Sequence, residues 1–157
     1  MPPPDVPVSL PRSLPPRSHD SAGQPAAVDV VVPVFNAPEA TRRCLESLYK
    51  HAGSHLARVL VWDDASDAAT ARMLDGLSLP RLSIVHAPRN AGFGAAVNQG
   101  MALVRTDLAL VLNSDIEVRD DFLAPLLEAI RCDTELAALQ ANCPQLASYD
   151  LRRYRRR

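Results

Sequence analysis

Paired cysteines, long apolar runs and an excess of charge of one sign are all missing from this chain, and each absence removes a class of function. The three cysteines, Cys44, Cys132 and Cys143, lie far apart, without the close spacing of a zinc site or a disulfide framework, so a reducing cytoplasm is expected. No stretch approaches the roughly eighteen consecutive apolar residues that span a bilayer, and no basic region followed by an apolar one opens the chain. A transmembrane segment is not expected. With 17 Lys and Arg against 18 Asp and Glu, the formal net charge is -1, which gives no overall attraction to nucleic acid. The closing arginines, Arg152, Arg153, Arg155, Arg156 and Arg157, are interrupted by Tyr154 alone and read as a solvated end. His51, His55 and His86 show neither ligand nor triad spacing and are expected at the surface.

The remaining sequence divides into three parts. Residues 1–27 are dense in proline, with Pro2-Pro3-Pro4 and Pro15-Pro16, and read as a leader too poor in apolar residues to fold. From residue 28 to 133, short β-branched or apolar runs alternate with segments of helical period, which is enough for one domain. Val28-Asp29-Val30-Val31-Val32-Pro33-Val34, Val59-Leu60-Val61-Trp62, Leu82-Ser83-Ile84-Val85 and Leu108-Ala109-Leu110-Val111-Leu112 read as strands. The segments near 39–51, 67–77, 93–104 and 120–131 read as helices, the second capped by Ser66 or Asp67 and the third rich in small residues that suit close packing on a sheet. Strand-helix alternation calls for an α/β fold, a mostly parallel sheet flanked by helices on both faces. From 134 to 157 neither period is visible, and an irregular basic tail is expected.

Ligands of open parallel sheets collect beyond the carboxyl ends of the strands. Those ends are polar here: Pro33-Val34-Phe35-Asn36, Asp63-Asp64-Ala65-Ser66, Asn90-Ala91-Gly92 and Asn113-Ser114-Asp115. Each block alone reads equally as a turn or a helix cap. Two adjacent acids exceed what one cap requires. One is free to accept hydrogen bonds from a bound nucleotide while the other supports the fold. Asn113 and Asp115 present oxygens two residues apart, which suits a hard divalent cation, Mg²⁺ or Mn²⁺, that also meets phosphate oxygens. Gly92-Phe93-Gly94 is not a dinucleotide fingerprint, since the glycines follow the third strand and Val97 stands where the last glycine belongs. Asn98 on the next helix faces either this rim, the core or solvent.

In their order and spacing, these four blocks resemble glycosyltransferase family 2, over about residues 28–131. The resemblance implies the nucleotide-sugar-binding, Rossmann-like half of an A-type glycosyltransferase fold, incomplete at its C-terminus. It implies a nucleotide-diphosphate sugar donor, a divalent cation and sugar transfer with inversion, in polysaccharide or glycoconjugate synthesis. Carried across by position, Pro33, Phe35 and Asn36 match the first nucleotide loop, Asp63 the base-recognising carboxylate and Asp64 its support. Asn90 and Gly92 match the donor-contacting turn, and Asn98 a position on the following helix near the donor. Asn113 and Asp115 occupy the family's acid-x-acid metal motif, with Asn113 in place of the first acid as in the rhamnosyltransferase-like branch, leaving Asp115 as the metal ligand. The resemblance implies a carbohydrate or lipid-linked acceptor of unknown identity, the latter implying peripheral association with the inner face of a membrane and otherwise a cytoplasmic protein. No general base is assigned: Glu135 lies too near the metal motif and Asp150 lacks the expected context. The resemblance thus implies donor binding without the residue that completes transfer. A nucleotide-sugar- or partner-binding module without turnover is the alternative, and a phospho-acceptor domain built on Asp63 and Asp64 is a third, which lacks a lysine on a later strand.

Overall fold

The computed structural model describes residues 27–120, 122–133, 136–139 and 153–155. The leader to residue 26, Glu135, Cys143, Asp150 and the outer arginines Arg152, Arg156 and Arg157 lie outside them.

A parallel sheet forms the centre, in the order β3-β2-β1-β4, from β1 (Val28–Val34), β2 (Leu56–Asp63), β3 (Leu82–His86) and β4 (Ala109–Val111). β1 lies between β2 and β4 and is buried along its whole length, which is why it reads as a valine run instead of an alternating pattern. Its even valines, Val28, Val30, Val32 and Val34, join one core with Cys44, Leu45 and Leu48 of α1 (Pro38–His51), Leu74 of α2 (Ala68–Asp75), and Leu123 and Leu127 of α4 (Leu123–Cys132). The other face of β1 meets α3 (Phe93–Met101). The approach there is close: a Cβ on Gly100 would lie 2.4 Å from Val31 Cγ1. The small residues of this helix therefore do pack against the sheet.

The helix ends follow from local chemistry. Pro38 opens α1, where its missing N–H costs nothing. Glu39 in the first turn and Lys50 in the last complement the helix dipole. Asp67 caps α2, its Oδ1 accepting the Thr70 N–H at 2.8 Å; that bond holds the Asp67 carboxyl below its usual pKa. Of the two caps expected there, Asp67 is the one formed.

Three expected elements are realised differently. β2 starts earlier than expected, at Leu56, because the single 3₁₀ turn Gly53–His55 feeds directly into it. The helix expected from residue 120 begins only at Leu123, since Asp120 has a left-handed φ of 50° that no α-helix accommodates. Beyond residue 134 the chain is not wholly irregular: β5 (Leu136–Leu139) pairs antiparallel with β6 (Arg153–Arg155). Pairing between segments so far apart leaves no local period to read.

The chain runs outward from β1 through β2 to β3, then α3 carries it back past β1 to β4. The direction of winding reverses at β1. Ligands of such sheets bind beyond the carboxyl ends of the strands near such a reversal, and all four polar blocks leave the sheet at its carboxyl end. β4 pairs only with residues 29–31 of β1, so Pro33, which cannot donate to a ladder, falls beyond that pairing.

Candidate nucleotide-binding rim

Three of the four strand ends are tied to each other through side chains. Leaving β1, Asn36 and Ala37 both take left-handed conformations, φ 61° and 57°. Such backbone costs on the order of 1 kcal/mol per non-glycine residue and persists only where its surroundings impose it. Here they do: the Asn36 N–H donates to Ser66 Oγ at 2.8 Å, and Asn36 Oδ1 accepts the Asp67 N–H at 2.8 Å. The β1 and β2 loops are thereby locked together.

Asp63 and Asp64, at the end of β2, are 2% and 3% exposed. Buried carboxylates need donors, and each finds them. Asp64 accepts the backbone N–H of Ala91 at 3.0 Å and of Gly92 at 2.8 Å. It shapes the turn between β3 and α3, where Asn90 Oδ1 also accepts the Gly92 N–H, at 3.1 Å. Gly92 has φ 88°, a conformation that side chains rarely adopt. Asp63 Oδ1 accepts the Ser66 N–H at 3.0 Å, closing its own loop, and Asp63 Oδ2 lies 2.6 Å from His86 Nδ1. The second ring nitrogen of His86 lies 3.2 Å from Asp75 Oδ1 at the end of α2. The hydrogen bond with Asp63 outweighs partial burial and, with Asp75 adding to it, raises the pKa of His86 above the usual imidazole value. His86 is exposed, as expected of it, but bound on both sides by acids. Asp63 and His86 are register partners on adjacent strands, a proximity that spacing along the chain does not disclose.

The fourth strand end is anchored to α1. The buried Cys44 Sγ donates to the Asn113 carbonyl at 3.4 Å, the Val118 N–H donates to Ser47 Oγ at 3.0 Å, and Arg43 pairs with Glu117 at 2.7 Å. Burial, together with the charges of Asp115 and Glu117, pushes the Cys44 thiol up to about 12. That thiol is inert packing. Asn113 and Asp115 themselves are exposed.

The candidate residues thus fall into groups. Asn36 and Asp63 are joined by hydrogen bonds with Ser66 and Asp67, and Asp64, Asn90 and Gly92 by a second set, the two meeting at the adjacent residues Asp63 and Asp64. Pro33 is buried at the end of β1, and Phe35 beside it is 53% exposed. Phe93, not singled out from the sequence, is also open to solvent, at 60%. Asn98 lies on the exposed side of α3, away from the buried Ala96 and Gly100, which decides its orientation in favour of solvent over the core. Among the described residues no three His, Cys, Asp or Glu gather into a metal cage. One exposed carboxylate beside an amide suits Mg²⁺ or Mn²⁺ that draws its other ligands from phosphate and water, as magnesium ions commonly do. It does not suit a tightly held structural ion.

Comparison with known proteins agrees with this fold. The family described as "Glycosyl transferase family 2" matches residues 29–156. The succinoglycan biosynthesis protein ExoO of Rhizobium meliloti is 32% identical over 128 residues, which are 82% of this chain and 36% of that protein. The putative glycosyltransferase EpsH of Bacillus subtilis is 27% identical over 111 residues, 70% of this chain and 32% of that one. This chain therefore spans about a third of the length of these relatives. A mannosyltransferase of Pyrobaculum calidifontis, solved in complex with GDP-Man and Mn²⁺, shares the fold with a TM-score of 0.62 at 21% identity, over 73% of this chain and 34% of its own.

Proposed function

Since this chain belongs to glycosyl transferase family 2, we propose that its rim of strand ends binds a nucleotide-diphosphate sugar together with a divalent cation. The binding would serve sugar transfer with inversion to a carbohydrate or lipid-linked acceptor, in polysaccharide or glycoconjugate synthesis. The observation that carries this reading is the pair of hydrogen-bond sets, meeting at Asp63 and Asp64, that tie Asn36 to Asp63 and Asp64 to Asn90 and Gly92 across the carboxyl ends of β1, β2 and β3. Bonds that fix three loops before any ligand arrives leave the rim preorganised for one.

In this reading Asp63 accepts from the nucleobase, with lone pairs left after its bonds to Ser66 and His86. Asp64 does not touch the donor. Its two backbone donors hold the Asn90–Gly92 turn, so that Asn90 and the glycine backbone meet the nucleoside. Pro33, Phe35 and Asn36 wall the opposite side, with the exposed Phe35 ring offering a flat apolar contact, and Asn98 stands on the helix beyond the turn. The rim carries Asp63, Asp64, Asp67 and Asp115 and must admit an anionic diphosphate. A cation on Asp115, with Asn113 beside it, would supply the charge neutralisation that favours diphosphate departure. No helix of the described residues is long and apolar enough to cross a membrane; cytoplasmic placement, with contact to a membrane through a lipid-linked acceptor, belongs to the same proposal.

Calorimetric titration with uridine-, thymidine- and guanosine-diphosphate sugars, with and without Mn²⁺, tests the reading. Binding should need the metal and weaken at least about tenfold in Asp115→Ala, a loss of about 1.4 kcal/mol. Equal affinity with and without Mn²⁺ would count against the assignment of Asp115. Metal-dependent binding with neither transfer nor donor hydrolysis would make the chain a binding module.

A further inference from the structure

His86 answers to two acids from two different elements, and its chemistry limits how it can do so. Nδ1 is 2.6 Å from Asp63 Oδ2 on β2, and Nε2 is 3.2 Å from Asp75 Oδ1 on α2. A neutral imidazole carries one N–H, so either tautomer would turn a lone pair toward one of the two carboxylates; only the cation donates to both. The bridge is therefore a property of protonated His86.

We propose that His86, by bridging Asp63 and Asp75, is a positioning residue of the nucleotide rim: as a cation it fixes the carboxylate that meets the nucleobase and offsets negative charge where an anionic donor must enter. The inference rests on the donor-site reading given above. Asp63 Oδ1 is already fixed by the Ser66 N–H, so the histidine decides the carboxylate's remaining freedom. Of the two acids, Asp63 is buried whereas the Asp75 side chain is 69% exposed. Asp75 thus serves as an outer electrostatic support and Asp63 is the group being held.

The charged neighbours on the surrounding elements are accounted for. Asp64, directly after β2, turns to the Ala91 and Gly92 N–H groups. Arg58 on β2 is bound to Asp29 at the far end of the sheet, Arg72 on α2 acts on Asp67, and Arg81 before β3 acts on Tyr49. Asp63 and Asp75 remain as the charges acting on the ring, and together they keep it protonated above its ordinary range.

The test is the pH dependence of affinity for uridine, thymidine and guanosine diphosphates with Mn²⁺, measured on the full chain and on three variants. Asp63→Asn reports on the donor site itself. His86→Ala should weaken binding about tenfold at low pH and remove the part of the pH dependence that belongs to the imidazole, while ionisation of the diphosphate is common to every protein measured. Asp75→Asn changes an exposed side chain and should leave the fold intact. It should move the pH at which affinity declines to a lower value, because one of the two acids favouring the cation is gone. If the unaltered chain binds and Asp63→Asn does not, yet His86→Ala and Asp75→Asn follow the same curve as the unaltered chain, His86 is not a positioning residue and the donor-site reading stands. If the unaltered chain binds none of the three nucleotides, both readings fall.

Discussion

Asp29 and Glu117 are both acids paired with arginine, in opposite surroundings. The Asp29 side chain is fully buried at the start of β1, where Arg58 grips both carboxylate oxygens and the Arg105 N–H donates at 2.8 Å. Burial alone would raise its pKa; the Arg58 and Arg105 donors outweigh it and hold the carboxyl below its usual range. Glu117 meets Arg43 with both side chains more than half exposed. Removing one partner leaves a buried charge uncompensated in the first case and a solvated one in the second. Arg58→Met should therefore cost about 3 kcal/mol, and Arg43→Met less than about 1 kcal/mol, measured by urea denaturation. Equal effects would mean that water reaches Asp29. The same contrast explains what was legible residue by residue: adjacent acids at a strand end announced a polar rim, but which donors each would find depended on burial and on partners from other elements. His86 is the clearest case. Nothing along the chain between Asp63 and His86 indicates that they sit side by side in register.

Elements were legible where their pattern is local. The valine run of β1, the apolar stripe Cys44, Leu45 and Leu48 of α1, and the small residues of α3 each carry their own period or size signal, and each formed the structure that signal implies. Boundaries depended on single backbone angles, as at Asp120, and the β5–β6 pair depended on a partner far along the chain. The tight seat of α3 supplies a test at this scale. Gly100→Ala places a methyl 2.4 Å from Val31 Cγ1, in a core strand that cannot retreat. Overpacking of this kind costs about 1–3 kcal/mol. Because α3 begins at the Gly92 turn, lifting it should also loosen the donor rim, so the midpoint of denaturation and the nucleotide affinity should fall together. A fall in stability with unchanged affinity would show that the turn is held by Asp64 alone.

At the scale of the whole molecule, the order β3-β2-β1-β4 does two things at once. It buries β1 completely, and it brings strand ends from loops spread over about eighty residues, from Asn36 to Asp115, to the same end of one sheet. The opposite end holds the Asp29 cluster, whose partners are internal. If the carboxyl-end rim is the donor site, the two ends of the sheet must respond differently to ligand, and that asymmetry is the central claim. Two-dimensional amide NMR of the chain, titrated with uridine, thymidine or guanosine diphosphate in the presence of Mg²⁺, tests it most directly. The predicted result is a set of concerted shifts at Asn36, Asp63, Ser66, Gly92 and Asn113, with Asp29, Arg58 and Arg105 unmoved. Shifts centred on Asp29 and Arg105, or none anywhere with all three nucleotides, would contradict the account.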